Sequence, residues 1–284
     1  MELIRQDIQP LIDVALVEDV GTGDITSDWT VPEGKEASAE FIAKAIGVVA
    51  GLDVATWVFD TVDSACEFEA LLSDGDAVRP GDLIAKVSGP AKALLTGERT
   101  ALNFLQRMSG VATLTSRYVR MTAGTEATIL DTRKTIPGWR RLDKYAVAAG
   151  GGQNHRFGLF DMVLIKENHI EAADGIGPAV FGVRRQLNGQ TGKVKIEVEV
   201  KNLVELEEAM MANVDWVMLD NMDAYQMSEA VQIVKGQGGG PLLEASGNVT
   251  LERVKEIAGT GVDYISVGAL THSAIALDIS MLFR

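Results

Sequence analysis

DTRKTIPGWRRLDKYAVAAGGGQNHRFGLFDMVLIKENH, residues 131–169, gathers cations against the prevailing sign of the chain. Lys and Arg outnumber Asp and Glu within it, whereas the whole sequence carries a formal charge of −14. Concentrated positive charge points to an anionic ligand. A solvated basic helix face would repeat its cations at helical intervals. Here they stand where short apolar runs stop: residues 127–130 (ATIL) lead into Asp131-Thr132-Arg133-Lys134, and residues 162–165 (MVLI) lead into Lys166. Runs of this length and composition read as buried strands. Between them Gly150-Gly151-Gly152 allows a sharp turn or close backbone approach, and Asn154-His155-Arg156 follows at once.

Working outward toward the C-terminus, strand candidates end at Asp131, Lys166, Val200, Asp220, Ala245 and Val267, with helical segments in the gaps, for example 203–212. Strands alternating with helices imply a parallel sheet, and right-handed crossovers close six or seven such units into a full or partial barrel. Ligands of such folds sit at the carboxyl ends of the strands. Those ends are polar here. The run 195–200 (KIEVEV) alternates, so Lys195, Glu197 and Glu199 share one side of their strand. Facing a barrel interior, such charges demand a cation or a hydrogen-bonding network. The run 217–219 delivers Asp220 and Asn221, and 242–243 leads into Glu244, Ala245, Ser246 and Gly247. Carboxylates from successive strands suit a hard divalent ion or, alternatively, internal ion pairs with the neighbouring Lys and Arg. Ser246-Gly247-Asn248 and the run 268–273 (GALTHS) join strand ends to helix starts, where small residues and N–H groups offer a phosphate cradle.

Toward the N-terminus the pattern differs. Apolar positions Ile8, Leu11, Ile12, Ala15 and Leu16 predict a helix over 4–20, ending before a polar loop at 21–26. Residues 37–89 break into β-like runs (39–43, 47–50, 83–87) around a helical segment at 53–61, which predicts an α+β domain with a mostly antiparallel sheet. From residue 96 to about 123 the sequence predicts one long helix, or a pair interrupted near Ser109-Gly110, with Leu102, Leu105 and Met108 as its buried stripe. Arg99, three residues before Leu102, is expected close to that buried face. The expected fold is therefore an N-terminal α+β sandwich domain (1–110) followed by an incomplete α/β barrel of six or seven parallel strands (111–284).

Composition narrows the function classes. A sequence pI near 4.7 argues against non-specific binding of nucleic acid or anionic membranes. Cys66 is the one cysteine, so no intrachain disulfide or thiolate cluster can form. The N-terminal residues lack a signal-peptide pattern and no apolar run is long enough to span a bilayer, which makes the cytoplasm the expected compartment.

The runs at 98–113 (ERTALNFLQRMSGVAT), 131–135 (DTRKT), 150–156 (GGGQNHR), 164–169 (LIKENH), 197–199, 219–221, 244–247 (EASG) and 266–272 (SVGALTH) resemble, in order and over nearly the whole chain, quinolinate phosphoribosyltransferase, also called carboxylating nicotinate-nucleotide pyrophosphorylase. Single members of this set are weak signals; together they are specific. The resemblance implies an enzyme that converts quinolinate and phosphoribosyl pyrophosphate to nicotinate mononucleotide, pyrophosphate and CO2 with Mg2+, on the route to NAD. It implies a homodimer with the catalytic site at the subunit interface. Residue by residue, it assigns Arg133, His155, Arg156 and Lys166 to the two carboxylates of quinolinate, with Arg99 reaching in from the partner subunit. Lys134, Glu199 and Asp220 fall around the metal and pyrophosphate, with Glu199 and Asp220 as metal ligands and all three as the catalytic set. Ser246, Gly247, Gly268 and His272 fall around the ribose 5-phosphate. Ile136, Trp139 and Asn248 depart from the family's usual Thr, Leu and Gly. Two rivals share the fold: a paralogous phosphoribosyltransferase-like protein associated with molybdenum uptake, which tends to lack the Asn-His-Arg and Leu-Ile-Lys-Glu-Asn-His patterns, and a catalytically silent binding protein.

Overall fold

Apolar runs too short to be helices, each followed by an amphipathic segment, leave the second half of this chain one economical solution: strands side by side, with helices covering them. The structure, a computed structural model, describes residues 2–187 and 194–284. In order the elements are α1 (Arg5–Val20), α2 (Ile25–Thr30), β1 (Glu36–Ala43), β2 (Gly47–Val48), α3 (Leu52–Val62), β3 (Glu67–Ala70), β4 (Ala77–Val78), β5 (Leu83–Pro90) and α4 (Ala91–Met121). Strand and helix then alternate: β6 (Thr128–Leu130), α5 (Arg140–Ala149), β7 (Val163–Ile165), α6 (Glu167–Ala172), α7 (Ile176–Leu187), β8 (Ile196–Val200), α8 (Leu203–Met211), β9 (Trp216–Asp220) and α9 (Ala224–Gly236). The series closes with β10 (Leu242–Ser246), α10 (Val254–Gly259), β11 (Tyr264–Ser266), α11 (Ala269–His272) and β12 (Ile279–Phe283). By contact the described chain forms two units, Met1–Ser116 with Thr135–Gly151 and Leu270–Arg284, and Arg117–Lys134 with Gly152–Ala269. The boundary expected near residue 110 falls inside α4, which is a single continuous helix.

The first unit is built on a four-stranded antiparallel sheet, β12-β1-β5-β3. Phe41 of β1, Phe59 of α3 and Phe68 of β3 meet in its core, with centroids 5.5–6.1 Å apart. Aromatic contacts of this kind add roughly 0.5–1.5 kcal/mol each beyond area burial. The buried stripe of α4 is the expected one, Leu102, Leu105 and Met108. Ser109 and Thr113 on the same helix accept the backbone N–H groups of Ala50 and Val48, so the irregular strand between them leaves no orphaned donor there. Gly110 has no alternative: a Cβ at that position would collide with the Ile275 carbonyl, and the helix stays unbroken because glycine lets the 270–276 segment pass close by.

Three features differ from the sequence expectation. Residues 25–30, placed next to a polar loop, form the short helix α2, because the Asp24 carboxylate accepts the Ser27 N–H and caps it. Arg99 is exposed, not close to the buried face. At 100° per residue Arg99 lies about 60° from Leu102 but about 120° from Leu105 and about 180° from Met108, which carries it off the stripe. The C-terminal run 279–283 was not read as a strand, yet β12 pairs with β1 in register Phe41↔Met281 and buries Ile279 and Met281.

The second unit holds the six-stranded parallel sheet β6-β11-β10-β9-β8-β7. All six strands end within one residue of where the sequence places them. Sequence neighbours β7 through β11 are neighbours in space, and β6 returns beside β11, which is the strand order of an α/β barrel opened between β6 and β7. At that opening Gln153 bridges to Leu130: the Gln153 N–H donates to the Ile129 carbonyl (2.8 Å) and the Asp131 N–H to the Gln153 carbonyl (3.1 Å). The segment carrying Asn154-His155-Arg156 thus lies along the otherwise open edge of β6.

Candidate active site

Parallel strands deliver their last residues to one edge of the sheet, so the polar residues that end them converge by topology alone. In the second unit Lys166 follows β7, Glu199 lies in β8, Asp220 ends β9 and Ser246 ends β10, where Ser246 pairs directly with Asp220. Arg133 and Lys134 follow β6, and Gly268 follows β11. Lys166 forms an ion pair with Glu199. Asp220 accepts a hydrogen bond from the Asn221 amide (2.9 Å), and Asn248 donates to Asn221 (3.0 Å). Gly247 is required twice in this corner. Its φ of 93° is a left-handed conformation, and a Cβ would strike the Asn221 side chain. Arg99 and His272 belong to the first unit, where His272 Nδ1 lies 2.6 Å from Ser273 Oγ.

Arg133 and Arg156 are close enough to repel: burial, then the Arg133 charge, lower the pKa of Arg156. Neighbouring guanidiniums held together by the fold make a site for a carboxylate-bearing anion. One of the Arg156 guanidinium N–H groups donates to the Met162 carbonyl (3.1 Å), which anchors the side chain. Asp131, fully buried, braces the segment from below: its Oδ1 accepts the His155 N–H (2.9 Å) and its Oδ2 accepts from the Asn154 amide (2.7 Å).

Beneath this edge lies a layer that the sequence reading only half saw. His155 Nε2 sits 3.0 Å from Glu197 Oε2 and 3.2 Å from Glu244 Oε2, with both carboxylates fully buried. Below it the ring of Trp216 stacks on Tyr264 (4.4 Å, 11°) and meets His155 edge-on (6.1 Å, 76°). Alternation along 195–200 announces Glu197; Glu244 gives no comparable signal, since it is a lone acid in an apolar run. Burial, then the Glu244 charge, push the Glu197 carboxyl up to about 7. Burial alone would lower the pKa of His155, but Glu197 and Glu244 outweigh it and favour the imidazolium. Against that, the Arg156 backbone N–H donates to His155 Nδ1 at 2.7 Å, which requires this nitrogen to be unprotonated. The amide contact decides, because two N–H groups aimed at each other at that distance would repel. Nδ1 is therefore the acceptor face of the ring, opposed to the direction in which the two carboxylates push it.

Three ligand atoms of His155, Glu197 and Glu244 lie within 4.8 Å of one another, a spacing that a metal ion could use. The Nδ1 contact argues against it, since a histidine bound to metal through Nε2 carries its proton on Nδ1 and donates it. Glu199 and Asp220 fit a hard divalent ion better, supplying only oxygen atoms from adjacent strands at the open edge.

Family models match over most of the chain: "Quinolinate phosphoribosyl transferase, N-terminal domain" over residues 24–109 and "Quinolinate phosphoribosyl transferase, C-terminal domain" over residues 111–282. Among curated relatives, "Quinolinate phosphoribosyltransferase [decarboxylating] 2a, mitochondrial" of Nicotiana tabacum is 44% identical over 97% of this chain and 82% of its own length. "Probable nicotinate-nucleotide pyrophosphorylase [carboxylating]" of Bacillus subtilis is 42% identical over 96% and 92%. The solved nicotinate-nucleotide pyrophosphorylase from Francisella tularensis superposes with a TM-score of 0.94 at 40% identity, covering 100% of this chain and 98% of that one.

Replacing Asp131 with Ala leaves the His155 N–H and the Asn154 amide without their buried acceptor. Unfolding in urea should show a loss of about 1–3 kcal/mol. An unchanged midpoint would mean that Asp131 does not brace the segment.

Proposed function

This chain belongs to the quinolinate phosphoribosyltransferase family, and we infer that it transfers the phosphoribosyl group of phosphoribosyl pyrophosphate to quinolinate with loss of CO2, giving nicotinate mononucleotide and pyrophosphate for NAD synthesis. The observation that carries this reading is the family match over nearly the full chain, together with the cations and carboxylates that converge on one edge of the parallel sheet. Quinolinate is a dianion, and guanidinium groups pair with carboxylates in two-point fashion. Arg133 and Arg156 supply such a pair, and Lys166 adds a third cation. His155, whose Nδ1 accepts the Arg156 N–H and whose Nε2 lies 3.0 Å from Glu197, completes the set that the resemblance gives the two carboxylates. Ser246, Gly247 and Gly268 provide backbone N–H groups and close approach for the ribose 5-phosphate, the role that the family resemblance also gives His272.

In the reaction the pyridine nitrogen forms a bond to the anomeric carbon as the bond to pyrophosphate breaks, through a transition state with oxocarbenium character. Lys134 stabilises the negative charge that develops on the leaving pyrophosphate, and Glu199 or Asp220 offsets the positive charge on the ribose. Mg2+, held by Glu199 and Asp220, would neutralise pyrophosphate charge when bound. When the C2–carboxylate bond then breaks and CO2 leaves, its electron pair stays on C2, stabilised by the adjacent cationic ring nitrogen, and takes up a proton from water to give the C2–H of the product. In this proposal the enzyme acts in the cytoplasm as a homodimer whose site is completed by the partner subunit's Arg99. The exposure of Arg99 in a single chain is consistent with that role. Among the described residues no helix is long and apolar enough to cross a membrane.

With Mg2+ and phosphoribosyl pyrophosphate, the purified protein should consume quinolinate, leave nicotinate almost untouched, and stop when the metal is chelated. Loss of one carboxylate contact in a closed cationic pocket costs roughly 2–5 kcal/mol, or thirty- to several-thousand-fold. Equal turnover of the two acids would contradict the assignment.

Sharing of the site has its own test. Arg99→Ala and Lys166→Ala chains should each be nearly inactive, whereas their coexpression yields heterodimers with one intact site and activity approaching about a quarter of wild type from random pairing. No recovery in heterodimers verified by differential tags would place Arg99 in its own chain's chemistry or in none.

A further inference from the structure

A single helical turn does not hold itself. α11 has four residues, too few to repay the cost of nucleating a helix, and residues 273–278 run on from it without regular structure to β12. His272 is the last residue of that turn and is exposed. Its placement depends on what grips the chain on either side, and the grip comes from α4. The Arg107 guanidinium donates from Nη2 to the Thr271 carbonyl and from Nη1 to the Ala274 carbonyl (3.2 Å), so one side chain closes over both sides of His272. Further along, the Gln106 carbonyl accepts the Leu277 N–H (2.9 Å) and the Gln106 amide donates to the Ile279 carbonyl (2.6 Å).

The guanidinium is itself held in place. Buried Asp143 of α5 lies 3.5 Å from Nη2, and the Arg107 Nε–H is buried without an acceptor among the described residues. A buried donor left over is costly, and an apolar side chain at this point of α4 would pack without that loss. What arginine supplies, and an apolar residue cannot, is a planar fork that reaches two carbonyls at once while a fixed carboxylate holds its charge.

We propose that Arg107 is a positioning residue for the phosphoribosyl donor: it clamps the Thr271 and Ala274 carbonyls and so fixes the turn from which His272 meets the ribose 5-phosphate. The proposal rests on the role of His272 in the reaction proposed above. The contacts of Arg107 with Asp143, Thr271 and Ala274 lie within the first unit, whereas Arg133, Arg156 and Lys166, assigned to quinolinate, belong to or border the second. Loss of the clamp is therefore felt by one substrate and not by the other.

Steady-state kinetics of the full chain, with both substrates varied, tests this. Arg107→Met combined with Asp143→Asn removes the fork without stranding a buried charge; it should raise KM for phosphoribosyl pyrophosphate roughly tenfold and leave KM for quinolinate within about twofold, as expected for the loss of two hydrogen bonds. Asp143→Asn alone keeps the fork and should leave both KM values within about twofold of wild type. Arg107→Lys keeps a charge opposite Asp143 but cannot span two carbonyls; it should show a smaller rise for the same substrate, and it decides the matter where the double variant does not fold. In a His272→Gln background, itself impaired toward the donor, the Arg107 changes should add little, because both act through one imidazole. An unchanged KM for the donor in the Arg107 variants, equal rises for both substrates, or full additivity with His272→Gln would overturn the proposal alone. A His272→Gln enzyme with wild-type KM for the donor, or a wild-type chain that does not turn over quinolinate, would overturn the reading on which the proposal rests and the proposal with it.

Discussion

Burying three carboxylates inside one parallel sheet is the constraint on which the site depends. Asp131, Glu197 and Glu244 are all removed from solvent, and each is addressed by the same segment, Asn154-His155. A charge so placed is tolerable only with close polar partners, and leaving one unpartnered costs several kcal/mol. The segment therefore has little choice of conformation. It lies along β6 where the barrel is open, joined by the Gln153 bridge, and the barrel's missing closure is replaced by a strip of chain that carries a binding arginine. In the proposed reaction, stability and substrate recognition would use the same contacts.

Above that layer the electrostatics reverse. Arg133, Arg156 and Lys166 stand at the strand ends of a chain whose net charge is −14, and the repulsion between Arg133 and Arg156 is held in place by the fold. A dianion relieves it. The Lys166–Glu199 pair shows how the rim resolves its charges within the protein itself: the cation assigned to substrate rests on the carboxylate assigned to metal. In the proposed reaction, arrival of a dianion and a divalent ion would exchange that internal pair for two external ones.

Much of this was legible before any coordinates. The six strand ends from Asp131 to Val267 follow from short apolar runs with polar stops, and a parallel sheet then places those stops on one edge. The rest was hidden for identifiable reasons. Five residues at 279–283 carry a weak alternating signal, and nothing local says that they pair with β1 more than two hundred positions away. Asp24 is an N-cap by residue type, but the glycines around it made the loop reading stronger than the helix. Arg99 lies about 60° from Leu102 and about 180° from Met108, a drift across the stripe that comparison with Leu102 alone does not reveal. Glu244 is named by the sequence as a strand-end carboxylate, but only β8 and the 154–156 segment show that it faces Glu197 and His155.

The central claim is that one site joins phosphoribosyl transfer to loss of the carboxylate beside the ring nitrogen. Quinolinate labelled with carbon-13 at the 2-carboxylate tests it directly, with labelled CO2 and pyrophosphate followed together. The account predicts labelled CO2 equal in amount to pyrophosphate, none without phosphoribosyl pyrophosphate, and none from substrate labelled at the 3-carboxylate. Pyrophosphate release without labelled CO2, or CO2 release that needs no phosphoribosyl donor, would contradict it.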